Sequence, residues 1–359
     1  MTIEKRIESL VNLGRFFDQY KRSGYEKDIN LQYNDPYFDL LQQKIDSAVH
    51  HNGWFTKENV LFSLEQWAEA LTQENLQKWI SEYNFDKVES KTVGVIMAGN
   101  IPLVGFHDFL SILVSGHKAL VKQSSNDKLL LPVVADYLKA TSPEWDEKIE
   151  ILPHSADGAS KMTNYDAVIA TGSNNTARYF EYYFAGKLSI IRKNRNSVAV
   201  LTGKETCEEL SFLAEDIFRY YGLGCRNVSK LYVPKNYDFT GFFEAIYSWN
   251  PIINQAKYAN NYDYNKAVYL MSQFKLLENG FLILKEDRSL SSPIATLFYE
   301  RYDDLEEVKN ELESRKEEIQ CVVGKNIIEE EISFGKTQQP KLWDYADNVD
   351  TLAFLTRNV

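Results

Sequence analysis

The sequence predicts an α/β protein of two doubly wound domains. Short apolar runs at 91–97, 119–122, 149–153 and 165–171 alternate with amphipathic stretches and polar or glycine turns, the pattern of a parallel sheet covered by helices. A second series of strand-like runs begins near residue 190 and continues to about residue 324. The chain has 359 residues and 44% apolar content, enough for two substantial cores.

Residues 1–85 read as mainly helical, with Ile3, Ile7, Leu10, Val11 and Phe16 on one face and Leu40, Leu41, Ile45 and Val49 on another. His50 and His51 fall here, but adjacent histidines on a helix face different ways and no carboxylate or cysteine follows at ligand spacing, so no metal is expected. The run at 91–97 ends in Ala98-Gly99-Asn100, and Pro102 and an amphipathic stretch at 106–114 follow. Strand, turn and helix place Asn100 at a carboxyl strand end, where open α/β sheets bind ligands. Its amide is a candidate oxyanion donor; shaping the turn or capping the helix would explain it equally well. Ala119-Leu-Val-Lys122 is a second strand, followed by Gln-Ser-Ser125. A helix at 132–139 and strands at 149–153 and 165–171 come next, the last running into Gly172-Ser173-Asn-Asn-Thr176. A glycine turn at a helix start offers backbone amides to a phosphate, although ordinary turns share the pattern.

The stretch at 190–201 carries Arg192, Lys193 and Arg195, and 206–221 has helical spacing. Then comes Gly222-Leu-Gly-Cys225-Arg-Asn-Val-Ser229, in which a cysteine lies between a glycine turn and the strand at 230–234. Glycines on either side of Leu223 let a substrate approach the backbone, which makes Cys225 a candidate nucleophile; a small buried hydrophobe is the plainer reading of a single cysteine. A helix at 239–249, strands at 280–285 and 294–299, a charged surface helix at 303–318, a strand at 320–324 that buries Cys321, and a last strand in the tail complete the second domain.

Taken in order, Val93-Gly-Val-Ile-Met-Ala-Gly-Asn100-Ile-Pro-Leu-Val-Gly105, the stretch from Gly116 to Ser125, Ala170-Thr-Gly-Ser173 and the Cys225 segment resemble the aldehyde dehydrogenase superfamily. Met97-Ala-Gly-Asn-Ile-Pro102 and Gly222-Leu-Gly-Cys-Arg-Asn-Val-Ser229 are most similar to its LuxC-type acyl-CoA reductases, the fatty-acid reductase branch. The resemblance covers about residues 90–357 and is weakest over the first 85. It implies an aldehyde dehydrogenase-like fold with an active-site cleft between the two domains. A helical segment (1–85) would pack on an NADP(H)-binding domain (86–200), a catalytic domain (201–335) would carry the nucleophile, and a C-terminal segment (336–359) would return to the body or an oligomer interface. Cys225 becomes the nucleophile, Asn100 an oxyanion donor, Lys122 a ribose contact, and Thr171, Gly172 and Ser173 contacts near the pyrophosphate and nicotinamide.

Departures from the family pattern carry chemistry. Where many relatives have a ribose-binding glutamate three residues after the lysine, this chain has Ser125. Losing that carboxylate removes a repulsion against a 2′-phosphate, while Lys122, Ser124 and Ser125 offer a charge and hydroxyl donors, so NADPH is expected over NADH. No Gly-x-Gly-x-x-Gly occurs, a fingerprint this superfamily does without. The position of the glutamate that activates water in hydrolytic relatives falls on Ile191, which favours thioester reduction over acid formation. A further glutamate, which binds the nicotinamide ribose in many relatives, is missing before Pro293. Arg192 and Arg195 are candidate contacts for coenzyme A or cofactor phosphates, or members of a solvated basic loop.

The expected function is therefore NADPH-dependent reduction of an acyl-CoA, by resemblance a fatty acyl thioester, to an aldehyde through an acyl-cysteine. The alternatives are a short-chain acylating or ordinary aldehyde dehydrogenase, or a non-catalytic acyl-binding subunit. An acyl-protein donor, an acyl-supplying protein partner and a homo-oligomer are all compatible with the sequence. With a net charge of −11 and no lysine- or arginine-rich segment, nucleic acid is not an expected partner. The opening residues form no signal peptide and no apolar run is long enough for a membrane span. Three cysteines without metal-ligand spacing suit a reducing compartment, so the expectation is cytoplasmic. Some of the 22 tyrosines could line an acyl channel, though core packing explains any one of them more simply. His107, His117 and His154 are base candidates by residue type, each read more readily as structural.

Overall fold

Helices begin where threonines can cap them. Thr2, Thr56 and Thr72 each accept a backbone N–H from the first turn of α1 (Ile3–Phe17), α3 (Lys57–Ala70) and α4 (Gln73–Ile80). Two two-residue strands, β1 (Tyr20–Lys21) and β2 (Gly24–Tyr25), and helix α2 (Asn34–His51) lie between α1 and α3. Leu10, Leu13, Phe16 and Phe17 on α1 are fully buried, and Phe16 stacks on Tyr137 with ring centroids 4.1 Å apart. The opening helices thus share one hydrophobic core with the sheet that follows.

A computed structural model describes residues 1–153 and 162–359, so His154 lies outside the described residues. The chain forms two units, Met1–Lys193 with Lys341–Val359, and Asn194–Pro340. In the first, β3 (Thr92–Ile96), α5 (Phe106–Ser115), β4 (Lys118–Lys122), α6 (Leu130–Thr141), β5 (Ile149–Ile151), β6 (Ala167–Thr171), α7 (Asn174–Tyr183) and β7 (Leu188–Arg192) alternate. The strands align in the order β5-β4-β3-β6-β7, every pair parallel. Val93, Val95, Ala119 and Val121 are buried, as expected of strands covered on both faces. Strand order reverses about β3, so the crevice beyond the carboxyl ends of β3 and β6 is the topological switch point, where ligands bind in such sheets.

The amino ends of the same strands carry a histidine with a purely structural task. His117 is fully buried; its Nδ1 accepts the Lys91 N–H at 3.1 Å and its Nε2 donates to the Leu355 carbonyl at 2.9 Å. That pairing requires the neutral ring, and burial lowers its pKa below the ordinary imidazole value. The unfolded chain therefore binds a proton that the folded unit resists, and stability is lost as pH falls below the unfolded value of about 6.5. Asp127 and Asp216, each pushed up to about 6 chiefly by burial, act in the opposite sense between their folded values and the unfolded value near 4. Between pH 7 and pH 5 the thermal midpoint of wild type is expected to lose more, or gain less, than that of His117→Asn; equal slopes would remove His117 from the acid response.

The second unit contains β8 (Asn196–Val200), α8 (Cys207–Phe218), β9 (Val228–Pro234), α9 (Thr240–Ala245), α10 (Ala256–Met271), β10 (Leu276–Glu278), β11 (Ile283–Glu286), β12 (Thr296–Tyr302), α11 (Leu305–Ser314) and β13 (Ile319–Val323). Its sheet runs β10-β11-β12-β9-β8-β13, parallel except for β10 against β11. Residues 196–200 therefore pair within the second sheet, and the first unit ends at Lys193 rather than at residue 200. The helix expected over 206–221 stops at Phe218, because Tyr220 and Tyr221 adopt left-handed backbone with φ of 54° and 60°. The tail holds no strand: it ends in α12 (Thr351–Arg357), whose Leu352 and Leu355 join the core of the first unit.

Candidate active site

In the first unit the expected cofactor residues come together at the carboxyl ends of three adjacent strands. Ile96 pairs with Lys122 on one side and with Ala170 on the other, so Lys122, the start of the Asn100 loop and Thr171 lie at one level. The loops after β3 and β4 are tied to each other. Leu103, left-handed at φ 56°, donates its N–H to Asp127 Oδ2 at 2.8 Å, and Ser63 donates to the Pro102 carbonyl at 3.2 Å. A Cβ on Gly99 would meet Ser124 Oγ at 2.5 Å, so glycine is what lets the two loops close on each other. Asn100 is half-buried within this loop. Gly105, not Asn100, occupies the N-cap of α5, which removes helix capping as an account of that residue.

Thr171-Gly172-Ser173 joins β6 to α7, with Ser173 at the N-cap accepting the Thr176 N–H at 3.3 Å. Lys122, Ser124, Thr171 and Gly172 are half-exposed and Ser125 and Ser173 exposed, so their polar groups can be reached from solvent. A cationic side chain, four hydroxyl-bearing residues and a helix start at a topological switch point suit a dinucleotide. Asp127, the carboxylate of this segment, is the residue the sequence reading missed; it is turned inward onto the Leu103 amide.

The cysteine loop is built differently, at the amino ends of its strands. Asn227, 3% exposed, donates from Nδ2 to the carbonyls of Asp216 at 3.0 Å and Arg219 at 2.8 Å. Its Oδ1 accepts the Gly224 N–H at 2.8 Å, and its own N–H donates to the Gly224 carbonyl at 3.0 Å. One buried amide thus satisfies the open end of α8 and closes the 224–227 turn around Cys225. Three consecutive left-handed residues, Tyr220, Tyr221 and Gly222, lead into that turn; the φ of 75° at Gly222 suits glycine, whereas the two tyrosines are held there at a cost. The Cys225 carbonyl accepts from Ser197 Oγ at 2.9 Å, fixing the loop to β8. The thiol itself is half-exposed and donates to Asn194 Oδ1 at 3.6 Å. Neither Asn194 nor Asn227 belongs to a spacing that sequence reasoning could use.

For Asn227→Ala, the loss of these bonds predicts a destabilisation of roughly 2–3 kcal/mol. A displaced thiol also predicts a fall of about 10²-fold in turnover. Thermal unfolding and steady-state kinetics of the variant check both, and unchanged turnover would show that the loop holds its shape without the amide.

Arg192, expected to meet a phosphate, is turned inward onto a carboxylate. It is 4% exposed and grips Asp108 in bidentate fashion, Nη2 to Oδ1 at 2.7 Å and Nε to Oδ2 at 3.2 Å. It also donates to Thr351 Oγ1 at 2.9 Å and the Ala346 carbonyl at 2.6 Å, so it fastens α5, β7 and the tail together. Burial works against its charge, and Asp108 more than offsets this, leaving its pKa above the ordinary guanidinium value. Arg195 is half-exposed at the amino end of the second sheet, with Nη1 near the Lys316 and Ile319 carbonyls at 3.3 and 3.4 Å. His107 donates Nε2 to the Leu342 carbonyl at 2.8 Å, a structural contact within the first unit. Cys321 is buried and accepts from Arg226 at 3.4 Å. Among the described residues no group of three metal-ligating side chains occurs, and no helix is long and apolar enough to cross a membrane.

Two parallel-sheet α/β units, one with a polar switch-point crevice and one presenting a thiol, define the aldehyde dehydrogenase fold. The P. syringae indole-3-acetaldehyde dehydrogenase, solved with NAD+ and IAA, is similar at TM-score 0.64 and 14% identity, covering 90% of this chain and 72% of that one. Aldehyde dehydrogenase 21 from Physcomitrella patens, solved with succinate, matches at TM-score 0.65 and 12% identity over 90% of this chain and 73% of that one. An aldehyde dehydrogenase from Bacillus cereus, in complex with NAD+, gives TM-score 0.61 and 13% identity over 90% and 72%. At such identities these likenesses speak to fold alone. No curated protein matches the sequence. The family model for acyl-CoA reductase (LuxC) matches residues 7–245, more than half of the chain, and the chain belongs to that family of oxidoreductases. The match begins inside α1, so the family resemblance reaches well into the helical segment where the motifs are weakest.

Proposed function

We propose that this protein reduces a fatty acyl-CoA to the aldehyde with NADPH, through an acyl group carried on Cys225. The observation that carries the reading is the thiol itself: a half-exposed cysteine in a turn clamped by Asn227 and Ser197, faced by an amide at 3.6 Å. A thiolate so placed can attack a thioester carbonyl, and the donor thiol leaves without needing a strong acid because its basicity matches that of the attacking sulfur. Asn100 and the Cys225 amide are the proposed donors to the oxyanion, a contact whose loss typically costs ~10²–10³ in turnover. The amide beside the sulfur cannot activate water, which favours keeping the acyl group for reduction. Arg195 is the proposed contact for the anionic donor.

The cofactor would be held by Lys122, Ser124, Ser125, Thr171, Gly172 and Ser173, and when bound its reduced nicotinamide supplies the hydride. Collapse of the resulting tetrahedral species returns the electrons of the C–S bond to Sγ and frees the aldehyde. The preference for the 2′-phosphate rests on the two serines where a ribose-binding carboxylate is common and on the inward turn of Asp127. Nicotinamide oxidation and aldehyde formation by the purified chain, with NADPH or NADH and acyl-CoAs from short to long, test the proposal. Thioester-dependent aldehyde with a preference for NADPH and long chains is expected; no turnover with any thioester would overturn it.

A further inference from the structure

We propose that Asn194 decides the fate of the acyl group on Cys225, placing the sulfur while denying water a base, so that the acyl-cysteine persists until it is reduced. The inference rests on the reading of Cys225 as the nucleophile. Asn194 is exposed, opens the second unit and stands two residues before β8, as Cys225 stands shortly before β9. The two strands are neighbours in register, Ser197 beside Val228, and Ser197 holds the Cys225 carbonyl. The Asn194 side chain therefore meets the thiol, at 3.6 Å, from a loop whose position is fixed by the same strand pair. Arg226, the adjacent cation, directs Nη1 to Cys321 and the Thr337 carbonyl.

A neutral amide at this place does two things. It accepts from the thiol or donates to the thiolate without the like-charge repulsion that a carboxylate would add. It also cannot remove a proton from water. Acylation forms a bond between Sγ and the acyl carbon and breaks the carbon–sulfur bond to the donor, which departs as a thiolate. Hydrolysis of that acyl-cysteine would form a carbon–oxygen bond from water, pass the water's proton to a base and expel Sγ, giving free acid without oxidation or reduction. Asn194 faces the sulfur where such a base would act, and its amide leaves the acyl group for hydride.

The test uses the full chain as wild type, Asn194→Asp and Asn194→Ala. Iodoacetamide alkylation of Cys225 is followed from pH 5 to 10 without substrate or cofactor. Separately, each protein is loaded with octanoyl-CoA or tetradecanoyl-CoA without nicotinamide, and the acyl-cysteine and free acid are followed by mass spectrometry. Asn194→Asp is expected to raise the thiol pKa by about one unit, slowing alkylation near neutral pH about tenfold. Its acyl-cysteine should decay to acid at least about tenfold faster than wild type. Asn194→Ala should acylate several-fold more slowly and decay no faster. Alkylation profiles that superpose in all three proteins, or an Asp variant whose acyl-cysteine lasts as long as that of wild type, would overturn the assignment of Asn194 alone. Wild type that never becomes acylated would overturn the thioester reading together with it.

Discussion

Cys225→Ala is expected to lower aldehyde formation from an acyl-CoA by at least about 10⁴-fold, because no other group in the proposed mechanism holds the acyl chain covalently. Stability should change little. The thiol is half-exposed, and the loop is held through backbone groups, the Cys225 carbonyl on Ser197 and the Gly224 N–H on Asn227, which alanine leaves in place. Cys207→Ala is the matched control: that thiol is exposed at the start of α8, and full activity is expected. Acylation monitored by mass spectrometry should disappear with Cys225 and survive the loss of Cys207. Residual turnover within about tenfold of wild type in the Cys225 variant would show that the acyl group never resides on this sulfur.

The largest stability effect is expected at Arg192. Arg192→Met leaves the Asp108 carboxylate buried without its bidentate partner and should cost about 3–5 kcal/mol. It also takes a donor from Thr351 and the Ala346 carbonyl, so the tail should become more sensitive to proteolysis. Adding Asp108→Leu removes the stranded charge, and the double variant should recover much of the lost thermal midpoint while the tail remains loosened. A single variant as stable as wild type would mean that the ion pair contributes little. The reading of Arg192 as a phosphate contact makes a different prediction, a raised KM with unchanged stability, so one pair of measurements separates the two.

The strands of the first sheet could be read in the sequence because burial on both faces writes a continuous apolar run, as in Val93 to Ile96 or Ala119 to Val121, and because each run ends in a polar turn. The candidate cofactor residues followed directly, since a strand end in a parallel sheet is a place the topology reserves for ligands. Cys225 stands out for a related reason, a thiol between a glycine turn and a strand. Helix ends and partners were harder. The backbone reversal at Tyr220 and Tyr221 occurs in bulky residues with no turn signature, and the last helix differs from the strand its sequence predicts because a seven-residue amphipathic stretch fits either period.

By itself the sequence determined the class of fold, the order of the strand ends and the turn that carries the thiol, because each is a local property of a few consecutive residues. Tertiary structure alone decided what the polar side chains do. Arg192 meets Asp108 across 84 residues and Thr351 across 159, Asn194 meets Cys225 across 31, and β8 leaves the first sheet for the second. An arginine or an asparagine carries no periodicity that names its partner; its role is set by which buried charge or backbone group the folded chain brings within hydrogen-bonding distance, where burial makes an unmet partner costly.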